Sequence, residues 1–351
     1  MAGALDGVTV IELAGIGPAP FAGMMLGDHG ARVIRVDRPG PTLLGTFGDR
    51  DVVNRNRENV TIDLKRPEGV DKLLKLVEGA DALIEGNRPG VIERLGLGPD
   101  VLLARNPRLV VGRMTGWGQQ GPRSERAGHD INYIALSGAL STWGRRGGKP
   151  TFPANLIADY GGGGMLLAFG VVSAILSART TGKGQVIDCA MLDGAVILSA
   201  MTYGLFAHGM WKQQLEANVL DGGAPYYDVY ETADGKWISI GPIEPQFLAN
   251  LLAKLGLTDD PDFADQMDRD AWPRAKARLE ALFRTRTREH WCEMFDQADV
   301  CFAPVLTLAE APRHPHNRAR GTFVEVDGIV QPAPAPRFLG TPAPPVRMKP
   351  R

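Results

Sequence analysis

Val8 to Leu13 is an apolar, β-branched run that stops at Gly15 and Gly17, the pattern of a short buried strand. Pro18 to Gly30 follows, with prolines at its start and Gly27 and Gly30 near its end, which predicts a helix. Val33 to Val36 is a second strand, closing on Asp37, Arg38, Pro39 and Gly40. Strand, helix and strand in this order make a β-α-β unit. The expected architecture is therefore α/β, a parallel sheet with helices on its faces. The pattern continues with a helix over Pro67–Glu78 and strands at Ala82–Ile84 and Leu109–Met114, the last running into the turn TGWGQQGP. A long loop, Pro39 to Arg57, separates the first unit from the next.

Further along, Gly161–Arg179 and Met191–Gly209 are apolar helical stretches that bracket the turn GKGQ. Tyr160 to Ala178 carries no charge and is long enough to cross a bilayer. Four glycines open it, Asp159 and Arg179 flank it and no second such span follows, so the expectation is a buried helix and no membrane. Near Leu220 the character changes to DGGAPYYDVYETADGKWISIG, two short aromatic and β-branched runs joined by ADGK. That predicts a hairpin opening a second domain, as a length of 351 residues allows. Helices are expected at Glu244–Leu255, Trp272–Arg284 and Arg288–Ala298. Seven prolines between Gln331 and Pro350 predict an extended arm laid over the rest.

Composition narrows the functional classes. A net charge of −1 argues against a nucleic-acid partner. The 43 glycines and 26 prolines predict many turns and close backbone approaches in place of long helical bundles. Cys189, Cys292 and Cys301 are an odd number without a C-x-x-C pair and are expected as core residues. Neither a disulfide framework nor a cysteine zinc site fits them, and the reducing cytoplasm is the expected location. The opening MAGALDGVTVIELAG lacks a basic region and carries Asp6 and Glu12, unlike a secretory signal.

A β-α-β unit with glycines after its first strand invites a nicotinamide reading. Here Pro20 takes the third-glycine place of GIGPAP, Pro18 removes an N–H, and Asp37 is followed directly by Arg38. The turn reads better as one without a cofactor. His129, in GHDINY, follows a Gly/Pro-rich loop where backbone can approach a ligand. Asp159 precedes four glycines; it is either a helix cap or an acid beside N–H groups that meet a developing anion. Glu244 precedes Pro245, either as a charge favoured at a helix start or as the partner of an imidazole. His208, His290, His314 and His316 have no metal-like spacing, so no metal is expected. Arg38, Arg50, Arg55, Arg57 and Lys65 lie in or beside the first long loop, and Arg88 and Arg94 follow another turn. Interleaved with Asp37, Asp49, Asp51, Glu58 and Asp63, they suit a few phosphates on a small ligand.

Several runs carry a resemblance: VIELAGIGPAPFAGMMLGDHGARVIRVDRPG, NRENVTIDLK, IEGNRPGVIERLGLG, RMTGWGQQGP, GHDINYIALSG, Asp159 to Gly164, TGKGQVIDCAMLDG and DGGAPYYDVYETADGKWISIG. Together they resemble the family III CoA-transferase superfamily, and its racemase members most closely, over nearly the whole chain. GHDINY is the sharpest part, because the related transferases typically lack the histidine.

The resemblance implies an interlocked homodimer. Its large Rossmann-like CoA-binding domain would be residues 1–190, completed by an arm at 320–351; a helical linker, 191–222, would lead to a smaller α+β domain, 223–319. The implied reaction interconverts (2R)- and (2S)-2-methylacyl-CoA thioesters by two-base 1,1-proton transfer through an enolate. His129 and Asp159 would be the acid/base groups, with Glu244 paired to the histidine and Asn155 giving polar contacts. CoA would lie near Arg38, Ile62, Asp63, Leu64, Lys65, Gly86, Asn87, Arg88 and Arg94. Gly128, Asp130, Ile131, Asn132, Tyr133, Ala158, Tyr160, Gly161, Gly162 and Gly163 would rim the substrate. Asn87 stands where an aromatic is common and Ala158 where a glycine is common. No cofactor is implied, since CoA is part of the substrate.

The enolate oxygen is expected to meet backbone N–H groups of Asp159 to Gly161, and Met191, Met201 and Met210 to be ordinary core. Rival readings are a CoA-transferase with Asp159 as nucleophile, a non-catalytic acyl-CoA-binding protein and, last, a nicotinamide dehydrogenase.

Overall fold

The computed structural model describes residues 3–40 and 51–348, so Asp49, Arg50 and the end of the proline-rich arm lie outside the described residues. The chain packs as two units, residues up to 139 with 153–200 and 318 onward, and residues 140–152 with 201–317. The excursion at 140–152, within the expected large domain, goes with the second unit. There Arg145 donates to Glu216 at 2.6 Å and to Asp228 at 3.0 Å, and the Arg146 N–H donates to Glu216 at 2.8 Å.

The first unit contains β1 (Thr9–Leu13), α1 (Pro18–Asp28), β2 (Arg32–Asp37), β3 (Arg57–Thr61), α2 (Pro67–Val77), β4 (Ala82–Glu85), α3 (Val91–Arg94), α4 (Pro99–Arg105) and β5 (Val110–Thr115). It continues with α5 (Asp130–Leu136), a π-helix (Leu156–Met165), α6 (Leu166–Thr181), β6 (Gln185–Ala190) and α7 (Met191–Leu198). Six strands form one parallel sheet in the order β3-β2-β1-β4-β5-β6, the doubly wound α/β arrangement. The order reverses between β1 and β4, whose carboxyl ends open a crevice where ligands of such sheets bind.

The sequence pattern misses β3 and β6, the two edges. Edge strands pair on one side only, and both carry polar residues in place of a continuous apolar run. The expected helix from Met191 is two, α7 and α8 (Ala200–Ala207), and Met201 is exposed, not core. Met210 and Cys301 are exposed as well.

The run Leu156–Thr181 is long and apolar enough to cross a membrane, and half of it is buried inside the protein. The expected buried helix is therefore buried only in part: Phe169 and Leu176 on α6 are 71% and 68% exposed.

Two ion-pair networks lock the sheet. Glu12 of β1 is fully buried and lies opposite Arg35 of β2; Arg35 donates to it at 2.7 Å and Arg57 of β3 at 2.9 Å. Gly23 of α1 makes room, since a Cβ there would lie 2.2 Å from the Glu12 carboxylate. Arg55 pairs with Asp28 and donates to Gln331 Oε1 at 2.8 Å and to the Pro332 carbonyl at 2.7 Å.

The second unit is a three-stranded antiparallel sheet, β7 (Asp228–Glu231), β8 (Trp237–Ile240) and β9 (Phe302–Val305). α9 (Pro245–Leu255), α10 (Trp272–Phe283) and α11 (Arg288–Phe295) follow in the same unit, whose core holds Tyr226, Tyr230, Leu251, Phe283 and Trp291. The conspicuous run DGGAPYYD is scaffold here. Asp221 accepts from the N–H groups of Asn218 and Gly223, and Lys276 donates to Asp228 at 2.6 Å. Back in the first unit, the chain after residue 318 forms a hairpin, β10 (Phe323–Val326) and β11 (Ile329–Pro332), before the extended arm.

The π-helix and α7 touch backbone to backbone at Gly162 and Gly194. A Cβ on Gly194 would lie 1.9 Å from the Gly162 carbonyl oxygen. Gly194→Ala is expected to lower stability by about 1–3 kcal/mol, the usual range for overpacking, read from the shift of the denaturation midpoint.

Candidate active site

Two helix starts and one strand-to-helix turn meet at the carboxyl end of the first unit's sheet. Gly17, between β1 and α1, has φ 71°, a conformation that favours glycine. A Cβ there would sit 3.7 Å from Asp159 Oδ2, so the turn lies directly against the Asp159 carboxyl. The glycine after the first strand thus makes room for a side chain from a distant helix.

His129 caps α5, with Asn132 Oδ1 accepting from its backbone N–H at 3.0 Å, and its side chain is exposed. Asp130, the next residue, is 4% exposed and accepts from the backbone N–H groups of Ala158 at 2.7 Å and Asp159 at 2.9 Å. Asn155 caps the π-helix by position and donates to Asp159 Oδ2 at 3.1 Å. Asp130, Asn155 and Asp159 are therefore one hydrogen-bonded corner, with His129 joined to it through the peptide bond to Asp130, although 29 positions of chain separate Asp130 from Asp159. Burial holds the Asp159 carboxyl above its ordinary range. The Asn155 hydrogen bond and the His129 charge pull it down, while the negative charge of Asp130 pushes it further up. A half-buried acid that resists ionisation, beside an imidazole, is suited to give and take a proton.

Tyr133 closes the back of this corner. Its ring packs edge-on against Trp117, with centroids 4.7 Å apart, in space left by Gly116 and Gly128. Burial pushes its phenol up to about 12, with Asp159 and Asp130 acting the same way and Arg88 against them. The hydroxyl stays an O–H donor through the physiological range.

The glycine run after Asp159 has a packing role. Gly162 meets Gly194, Gly163 meets Pro18 and Met191, and Gly164 meets Pro18 and Phe21. The Tyr160 ring packs tilted against Phe21, with centroids 4.7 Å apart. The Asp159 N–H is taken by Asp130, and i→i+5 bonding of a π-helix starting at Leu156 takes the Gly161 N–H. The expected use of these two amides for an enolate oxygen is therefore not what the structure offers.

Residues 5–351 match the family described as CoA-transferase family III. The chain belongs to CoA-transferase family III. It is 45% identical to alpha-methylacyl-CoA racemase from Homo sapiens over 341 residues, covering 97% of this chain and 88% of the relative. Acetyl-CoA:oxalate CoA-transferase from Acetobacter aceti is 31% identical over 354 residues, covering 96% and 90%. Among solved structures, a CAIB/BAIF family protein from Brucella suis superposes with TM-score 0.84 at 27% identity, covering 100% of this chain and 97% of that one. Rv3272 from Mycobacterium tuberculosis gives 0.82 at 28% identity, covering 99% and 96%.

In this CoA-transferase family III chain the residues expected around CoA divide by environment. Arg38 is exposed just past β2, and Lys65 is exposed before α2, where the Lys65 N–H donates to Asp63 at 3.1 Å. Ile62 is core, and Leu64 packs against the same cluster. The loop of Gly86, Asn87 and Arg88 is pinned at its root. The Asn87 N–H donates to Glu85 at 2.7 Å, and burial pushes the Glu85 carboxyl up against that bond and the pairing with Arg113. Arg94 folds back over Gly90. Arg55 and Arg57, read from sequence as phosphate partners, are buried in the ion-pair networks and are withdrawn from that role.

Ile131 and Asn132 lie in the first turn of α5, and Ala158 is fully buried. Glu244 stands in the second unit, exposed, as the residue before α9, and Cys301 feels its charge. Among the described residues no group of three or more His, Cys, Asp or Glu side chains is arranged to hold a metal ion. Gly17 is a site residue that the sequence pattern does not single out; its signal, a glycine just after the first strand, is shared with nucleotide-binding turns.

Proposed function

We propose that this chain is a 2-methylacyl-CoA racemase that inverts the α-carbon by two-base proton transfer. The reading is carried by the joining of His129 and Asp159 in one corner, with an acid held above its ordinary range, and is supported by the racemase relatives. In one direction the neutral imidazole takes the α-proton. The C–H pair enters the Cα–C bond, and the carbonyl pair moves to oxygen to give the enolate. The Asp159 carboxylic acid then delivers its proton to the opposite face, the carbonyl reforms, and imidazolium with carboxylate remain. That ionisation state processes the other enantiomer. Neither half-reaction draws on a metal ion or an organic cofactor.

We assign CoA to the exposed cations near the sheet's carboxyl edge, Arg38, Lys65 and Arg88, and Glu244 to pairing with the imidazole. A homodimer of interlocked subunits in the cytoplasm completes the reading, and the apolar face of α6 supports burial against a second copy.

The test is incubation of each enantiomer of a 2-methylacyl-CoA with the protein in D₂O, followed at the α-position by NMR. Deuterium entering at Cα together with loss of optical purity is expected from both enantiomers. No exchange, with acyl transfer to an added carboxylate, would replace this reading with a CoA-transferase in which Asp159 is the nucleophile.

A further inference from the structure

The buried carboxylate of Asp130 is neither a surface charge nor an ordinary core residue. It begins α5 immediately after His129, and one of its oxygens, Oδ2, accepts both the Ala158 and Asp159 N–H groups. The first N–H groups of a helix have no partner inside it, so this carboxylate caps the π-helix from 28 and 29 positions away in the chain. Its other oxygen, Oδ1, is buried with no hydrogen-bond partner among the described residues. An unpaired buried carboxylate oxygen costs free energy and persists where surrounding contacts hold it. A cap needing only two N–H bonds would be served as well by a neutral amide.

We propose that Asp130 is a positioning residue for the racemisation, its carboxylate fixing the spacing and facing of His129 and Asp159. The inference rests on the acid/base reading above and deepens it. From the His129 backbone to the Asp159 backbone the path is one peptide bond, one side chain and one hydrogen bond. This link ties the two backbones directly. A misplacement of about 1 Å costs on the order of 10²-fold in rate. The charge of Asp130 adds a second effect, since it opposes ionisation of Asp159. The other charged or titratable groups bearing on that corner are His129, Tyr133 and, through Tyr133, Arg88.

The test uses the full chain with Asp130→Asn and Asp130→Ala. The asparagine keeps an oxygen for the two N–H groups and removes the charge; the alanine removes both. Two readouts are followed: α-proton exchange in D₂O against pH for each enantiomer, and amide hydrogen exchange at Ala158 and Asp159 in the free protein. Asp130→Ala is expected to lose about 10²-fold in kcat with KM little changed, and to lose protection at both amides. Asp130→Asn is expected to keep that protection and most of kcat. Without the Asp130 charge Asp159 ionises more easily, so the pH limb that follows it moves toward acid.

Unchanged kcat or unchanged amide protection in the alanine variant overturns the proposal; an asparagine variant whose limb stays in place removes the charge effect alone. Should the alanine variant fail to fold, Asp130→Ser, too short to reach both N–H groups, takes its place with the same two readouts. If His129→Asn and Asp159→Asn keep full turnover, the acid/base reading itself has failed, and the amide exchange still reports the clamp separately.

Discussion

Replacing Asp159 with asparagine is expected to reduce racemisation by about 10²–10⁴-fold, the usual worth of a positioned general acid or base. The substitution is nearly isosteric beside Gly17, and the Asp130 clamp on its backbone N–H is untouched, so the fold is retained. The loss should be asymmetric. The enantiomer whose α-proton faces His129 can still exchange it with solvent without inversion, whereas the other loses exchange altogether. His129→Ala should give the mirror result. NMR of the α-position in D₂O separates the two behaviours. Equal exchange of both enantiomers in either variant would remove the two-base assignment. In the unaltered protein the raised Asp159 acid defines the pH response. The direction that needs its proton fails as pH rises through its pKa, and the direction that needs its carboxylate gains over the same interval.

Glu12→Ala is expected to destabilise the protein by about 3–5 kcal/mol, the range for breaking a buried ion pair and stranding a charge. Arg57 loses its carboxylate with its side chain fully buried, and among the described residues Arg35 keeps Asp37 and Asn54. Glu12→Gln keeps an oxygen and fills the space opposite Gly23, and should lose less. Urea denaturation reads the difference as a lowered midpoint at unchanged slope. A midpoint unmoved in Glu12→Ala would show that the network adds nothing net to the sheet.

The part of the fold written in local periodicity was legible. β1, α1 and β2 follow from one apolar run, one proline-started helix and a second run, and the parallel sheet follows from their order. What was not legible depends on neighbours distant in sequence. β3 and β6 are edges whose polar residues hide the strand pattern, and Arg55 and Arg57 look like free cations until Asp28 and Glu12 arrive beside them. The glycines after Asp159 read as a ligand cradle because glycine leaves the same gap for a backbone as for a substrate. Only the approach of Gly194 and Pro18 shows which fills it. At the candidate site, residue types made His129 and Asp159 candidates and the resemblance supplied their roles, but nothing in the spacing placed Asp130 as the link between them.

The guanidinium of Arg55 has a consequence for how the chain is made. Its partner Gln331 lies 276 positions later, so ribosomes finish the sheet's strands long before they supply this contact. The stretch 201–317 that makes up most of the second unit emerges continuously and can complete its own core first. The unit begun earliest is thus sealed last, when β11 reaches Arg55 and Arg347 hydrogen-bonds with Asn56. A nascent chain that stops short of Gln331 leaves the Arg55 guanidinium only part-satisfied, with Asp28 alone of these partners in place.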